Sequence, residues 1–126
     1  MTIFLVLDDL LAIADLLGVG PVRDLGLLES AAHRPQTSVF GEDAYRTDDE
    51  KAAVLLESLT RDDPLVDGNK RLGWVAVVVF YGLNGYSVDA PEDEAYDLVI
   101  GVATGTLPYA EAARMLAHWT VQRRRA

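Results

Sequence analysis

The sequence predicts an all-α fold: a compact, single-domain helical bundle over residues 1–126, with one short β-hairpin or extended flap. Three observations carry this expectation. Thr47-Asp48-Asp49-Glu50 has the form of a capping box, in which the threonine accepts from the first helical turn and the glutamate reaches back. Behind it Ala52, Leu55, Leu56 and Leu59 recur at helical spacing, as do Ala95, Leu98, Val99 and Val102, and then Ala112, Met115, Leu116 and Trp119. Glycine and proline fall before and between these stripes, at Gly18, Gly20-Pro21, Asn84-Gly85, Gly105 and Pro108, where helices stop and start.

In chain order, Asp8 or Asp9 caps a first helix through Leu17, and a second, shorter helix covers Leu25 to Ala32. Arg34-Pro35 breaks it, and Gln36 to Phe40 has the β-branched and aromatic content of an extended segment. The amphipathic helix behind Thr47 ends before Pro64, which pushes Asp63 towards extended geometry. Leu72 to Phe80 is ambiguous by pattern alone: Val75, Val77, Val78 and Val79 favour a strand, whereas the length favours a helix buried all round. Asn84-Gly85 ends this element as left-handed cap residues do. Asp89-Ala90-Pro91-Glu92 opens the next helix with a second box-like cap, and Pro108 begins the last one.

Composition narrows the function. Half the residues are hydrophobic and 25% are charged, the balance of a globular domain large enough for its own core. The formal charge is −9, and the basic residues cluster only at Arg123-Arg124-Arg125, which reads as a solvated terminus. Direct nucleic-acid binding needs a basic face and is not expected. Without cysteine there is no disulfide framework and no thiolate chemistry, which fits a cytoplasmic protein. Ile3 to Leu7 is short, precedes Asp8 and Asp9 and has no basic leader, and Leu72 to Leu83 is too short to span a bilayer, so no membrane role is expected.

The chemistry-bearing stretch is Arg61 to Arg71. Lys70 and Arg71 follow a Gly-Asn turn at the start of a helix from about Gly68 to Leu83. Cations there oppose the helix dipole and cost about 0.3–1 kcal/mol each. Free N–H groups with two cations beside them describe a site for an anion, and Asp67 stands where a carboxylate holds a divalent cation against it. The plainer reading makes Asp67 an N-cap, Gly68 and Asn69 turn residues, and Lys70 and Arg71 a solvated pair. The phosphate loop of the ATPases is absent, because its glycine spacing and Lys-Ser/Thr ending are missing. No His/Asp/Glu cluster has zinc spacing, no serine has a nucleophile-elbow context, and His33 and His118 read as surface or satisfied histidines rather than a replacement base.

Asp63-Pro64-Leu65-Val66-Asp67-Gly68-Asn69-Lys70-Arg71 resembles the signature of the Fic/Doc family, read as His-Pro-Phe-x-Asp/Asn-Gly-Asn-Lys-Arg in the Doc (death on curing) branch. The resemblance extends to Val22-Arg23-Asp24-Leu25-Gly26-Leu27-Leu28-Glu29-Ser30-Ala31 and Arg34-Pro35-Gln36, to Glu50-Lys51-Ala52-Ala53, and to Asn84-Gly85-Tyr86 and Ala90-Pro91-Glu92-Asp93-Glu94. It implies the Fic fold, with Leu72 to Phe80 as the central helix. It also implies ATP and Mg2+ as cofactors, with Asp67 as the metal ligand. Gly68 and Asn69 then hold the phosphates, and Lys70 and Arg71 neutralise them. Arg61 adds a further cation, or serves only as a helix C-terminal charge. Gln36, Thr37, Ser38, Val39 and Phe40 form the flap on which a target protein docks.

The family's AMP-transferring enzymes carry Gly-Asn-Gly-Arg and a second arginine three residues on. Lys70 replaces that last glycine here and Trp74 stands at the second arginine, which points to the Doc branch. Its members move the terminal phosphate of ATP to a threonine of elongation factor Tu and halt translation, and a Phd-like antitoxin restrains them by folding its C-terminal tail into a groove. Asp63 departs from the pattern because it takes the place of the catalytic histidine, and Leu65 that of the phenylalanine. A carboxylate has an ordinary pKa of about 4, against about 6.5 for histidine, and is the weaker base at neutral pH. Protein kinases nonetheless orient a hydroxyl with an aspartate. Three readings follow: a toxin silenced at Asp63 by engineering or natural loss, a divergent transferase that uses Asp63, or a relative that only binds a partner.

Overall fold

The computed structural model describes residues 1–123, so Arg124 and Arg125 of the basic tail lie outside the described residues. Among these, six α-helices and two small antiparallel pairs of strands make up an all-α fold with a short hairpin. The helices are α1 (Leu7–Leu17), α2 (Leu25–His33), α3 (Asp48–Arg61), α4 (Asn69–Leu83), α5 (Glu92–Thr104) and α6 (Tyr109–Trp119). A 3-10 turn, Arg34–Gln36, leads from α2 into the hairpin of β1 (Ser38–Val39) and β2 (Glu42–Asp43). The second pair, β3 (Tyr86–Val88) with β4 (Thr120–Gln122), was not foreseen; it clips the end of the chain to the segment after α4.

The helix buried all round is α3 and not α4. It packs against α2, α4, α5 and α6, and from Lys51 to Thr60 only Glu57 is partly exposed. Its stripe of Ala52, Leu55, Leu56 and Leu59 is fully enclosed, and its polar members are satisfied locally, as when the Thr60 hydroxyl donates to Leu56 O at 2.8 Å. By contrast α4 keeps Arg71, Val78 and Leu83 exposed. The two helices approach closely at Gly73, where a Cβ would lie 2.9 Å from Leu56 Cδ1 and 3.0 Å from Thr60 Cγ2. The stripes of α5 and α6 are buried as their spacing predicts, apart from partly buried Met115.

Several caps differ from expectation. Val6, not Asp8 or Asp9, is the N-cap of α1; Asp9 sits one turn in, and its carboxylate accepts from Val6 N at 2.8 Å. Thr47 caps α3, accepting from Glu50 N at 3.0 Å, but Glu50 takes the threonine hydroxyl rather than a backbone N–H. Asp89 does not cap α5: Pro91 is the N-cap, with no side-chain bond, and the Asp89 N–H donates to Trp119 O at 2.7 Å beside the β3–β4 pair. Asn84 is not left-handed. Its amide accepts from Ile3 N and donates to Ile3 O and Phe80 O, while Gly85 makes the turn at φ 89°. Arg123 is docked rather than frayed, its N–H donating to Gly85 O at 2.9 Å.

Tyr81 closes the core near the start of α3, its hydroxyl donating to Asp49 Oδ1 at 2.6 Å. Burial first, and then that bond to a carboxylate, raises its pKa well above the ordinary value of about 10. The unfolded chain therefore loses this proton first, and the stability tied to Tyr81 is intact below about pH 10 and declines above it. In urea unfolding, the gap between this chain and Tyr81→Phe is expected to stay constant from neutral to about pH 9 and to narrow by pH 11. A gap independent of pH would show that Tyr81 is not held neutral by its surroundings.

Candidate functional site

The site turn runs from the end of α3 to the start of α4, and the loop between α1 and α2 clamps it. Gly20 N donates to Asp67 O at 3.1 Å, Val66 N to Pro21 O at 2.9 Å, and Arg23 N and Asp24 N both donate to Pro64 O. Leu65 is 1% exposed, and its backbone bridges to Val22. From inside the turn Asn69 adds a brace: its Oδ1 accepts from Leu65 N at 2.9 Å, and its Nδ2 donates to Leu65 O at 3.0 Å and to Asp63 Oδ1 at 3.4 Å. Asn69 thus shapes the loop and spends its amide on it, rather than presenting it to a ligand.

Asp63 is not extended. Its φ is 50°, in the left-handed region, and its carbonyl accepts from Arg23 Nε at 2.7 Å. Gly68 is also left-handed, at φ 90°, and caps α4 without any side-chain bond. The first turn of α4 is thereby left open to a ligand, with the N–H groups of Asn69, Lys70 and Arg71 at its tip. Asp67 Oδ1 accepts from Gly68 N at 2.9 Å.

These residues surround a cavity of about 340 Å³ lined by Arg23, Thr60, Asp63, Leu65, Val66, Asp67, Gly68, Asn69 and Lys70. Two expected members lie elsewhere. Arg61 points away, 3.9 Å from Glu57 and beside Gly105, the arrangement of a helix C-terminal charge. Arg71 lines a second hollow of about 580 Å³, an apolar groove between α4 and α5 walled by Trp74, Val75, Val78, Tyr96, Val99 and Ile100, into which Lys70 also reaches. Arg23 was missed: nothing in the spacing of Val22-Arg23-Asp24 marks a residue forty positions from the turn as its neighbour.

The flap residues form the β1–β2 hairpin and its approach. Gln36 ends the 3-10 turn, Thr37 donates its hydroxyl to Arg34 O at 2.7 Å, Ser38 and Val39 pair with Asp43 and Glu42, and Phe40 stands fully exposed at the tip. Two cations pin its base. Arg34 reaches Glu57 at 2.9 Å, Ser58 Oγ at 3.0 Å and Tyr45 Oη at 3.2 Å, and buried Lys51 donates to Tyr45 O and to Asp43. His33 and His118 are exposed.

No cluster of three or more His, Cys, Asp or Glu able to hold a metal occurs among the described residues. One carboxylate at an open helix N-terminus fits a magnesium ion that takes its remaining ligands from phosphate and water, and does not fit an all-protein cage. No described helix is long and apolar enough to cross a membrane.

The fold and turn define a small helical domain whose α4 starts without a side-chain cap, beside a cavity lined by Asp63, Asp67 and Lys70. A profile of the Fic/DOC family matches residues 4–81, which run from α1 into the last turn of α4 and therefore include this site. A protein of Mycolicibacterium smegmatis named Toxin Doc is 51% identical over 85 residues, 66% of this chain. The chain covers 65% of that relative's length. The chain belongs to the Fic/DOC family.

Proposed function

We propose that this chain is a Doc-type toxin of a toxin–antitoxin pair, built to move the γ-phosphate of ATP to a threonine of elongation factor Tu, and weakened or silenced by Asp63. The observation that carries the reading is the uncapped start of α4, which opens on a cavity shared by Lys70, Asp67 and Asp63. Transfer of this kind is mainly positioning and charge stabilisation. The N–H groups of α4 and Lys70 hold the phosphates, and Asp67 holds magnesium, which when bound offsets their charge. The residue at position 63 takes the proton of the attacking threonine hydroxyl as the new O–P bond forms and ADP leaves. The hairpin from Ser38 to Asp43 is the edge on which the target lies, and Phe40 is its exposed contact.

The relative's name, a toxin, points to an antitoxin as partner; we take it to be Phd-like, and the apolar groove between α4 and α5 suits the hydrophobic face of a helical antitoxin tail. One observation favours a second reading, a relative that only binds: the base position carries a carboxylate beside the phosphate site. The experiment is labelling of purified elongation factor Tu from γ-labelled ATP by this chain and by Asp63→His. The His form is expected to transfer about 10²–10⁴-fold faster, the usual worth of a positioned base. Equal labelling by both makes Asp63 a working base, and no labelling by either sinks the kinase reading in favour of a binding role or another substrate.

A further inference from the structure

Three consecutive carbonyls of the site turn are held by one residue. Arg23 Nη2 donates to Asp62 O at 2.9 Å, Arg23 Nε to Asp63 O at 2.7 Å, and Arg23 N to Pro64 O at 2.8 Å. An arginine near a helix end ordinarily satisfies carbonyls of the last turn. Here α3 ends at Arg61, and the guanidinium takes the carbonyls beyond it. Arg23, Asp62 and Asp63 are all exposed, so the two guanidinium bonds do not answer a burial requirement. What they coincide with is the left-handed φ of Asp63, a region that L-residues adopt rarely unless the surroundings impose it.

We propose that Arg23 is a positioning residue: its planar fork, reaching from the α1–α2 loop, fixes the backbone of Asp62 and Asp63 and so aims the side chain at position 63 into the cavity. Asn69 meets the carboxylate from the other side, but at 3.4 Å it guides weakly, and the aim comes from the backbone. The geometry also explains why arginine is needed. Two adjacent carbonyls are met by two N–H groups fixed in one plane, whereas a lysine ammonium is a single point on a flexible stem.

The kinetic part rests on the transferase reading, and the structural part does not. NMR of this chain and of Arg23→Gln and Arg23→Lys, without nucleotide, reads the backbone shifts of Asp62 to Pro64 and the exchange of the Leu65 amide. Arg23→Gln is expected to move those shifts out of the left-handed pattern and speed Leu65 exchange, with protection in α3 and α4 retained; Arg23→Lys should restore only part. In the Asp63→His background, Arg23→Gln should lower kcat about a hundredfold while KM for ATP stays within about twofold. Unchanged shifts at Asp62 and Asp63 overturn the proposal. So does a rise in KM with kcat intact, because Arg23 would then be a phosphate contact. If the Asp63→His form transfers nothing, the function proposed above fails while the NMR arm still decides the clamp. If Arg23→Gln unfolds, the same two readouts on Arg23→Lys decide it.

Discussion

Gly68→Ala is expected to destabilise the chain by about 2–5 kcal/mol and to disturb the start of α4 before any other element. Two separate costs add. An L-residue held in left-handed geometry loses about 1–2 kcal/mol, and φ at Gly68 is 90°. The new methyl would also lie 2.4 Å from Val19 Cβ and 2.5 Å from Val19 Cγ1, and Val19 belongs to the loop that clamps the turn. Overpacking of that kind costs about 1–3 kcal/mol. The clash and the strain separate in a double variant. Val19→Ala removes the Cγ1 contact but leaves the Cβ contact and the backbone strain, so it should recover less than half of the loss. Urea unfolding measures both. A Gly68→Ala loss of only about 1–2 kcal/mol, unrelieved by Val19→Ala, would mean that the loop gives way and is no clamp, because strain alone then remains. The glycine therefore brings the clamp loop and the open helix start within contact of each other.

Lys51→Ala is expected to cost about 2–4 kcal/mol, most of it from packing and one carbonyl rather than from the ion pair. The Lys51 side chain is 3% exposed, whereas its partner Asp43 is 63% exposed. A pair so open on one side is worth about 0–1 kcal/mol. The rest comes from the enclosed methylenes and from Tyr45 O, which would lose its donor. Lys51→Met keeps the stem and should cost clearly less than Lys51→Ala, and Asp43→Ala should cost under about 1 kcal/mol. The flap reports the same contact, because losing the donor to Tyr45 O unpins the hairpin. Hydrogen exchange of the Ala44 amide, which donates to Thr37 O at 2.9 Å, should speed up in Lys51→Ala. An Asp43→Ala cost equal to that of Lys51→Ala would overturn this division and make the ion pair the main contribution.

Much of the fold was legible because the signals for it are local. The capping threonine, the stripes of α5 and α6 and the stops at Gly18 and Gly105 each depend on neighbours within one or two turns. The misreadings share a different cause. Leu72 to Phe80 looked fully apolar and α3 amphipathic, yet α3 is the enclosed helix, since its Lys51, Ser58 and Thr60 find partners that periodicity does not reveal. The β3–β4 pair joins residues more than thirty positions apart, and no turn signal announces such pairing. Asp63 before a proline predicts extended backbone, yet it is left-handed, with its carbonyl bonded to a side chain from forty residues earlier.

The site divides along the same line. By itself the sequence determined the residue types and their order along the turn: an aspartate at the base position, a second at the cation position, then Gly-Asn and two cations opening a helix. Those choices govern which charges and which backbone freedom are available, and they are properties of single residues and short spacings. Only the tertiary structure decided which of them meet. It brings Asp63, Asp67 and Lys70 to one cavity, sends Arg71 to the groove beside Trp74, turns Arg61 towards Glu57, and adds Arg23 from another loop. The reason is geometric: a turn between two helices aims its side chains by the backbone contacts that hold it, and here those contacts come from the α1–α2 loop.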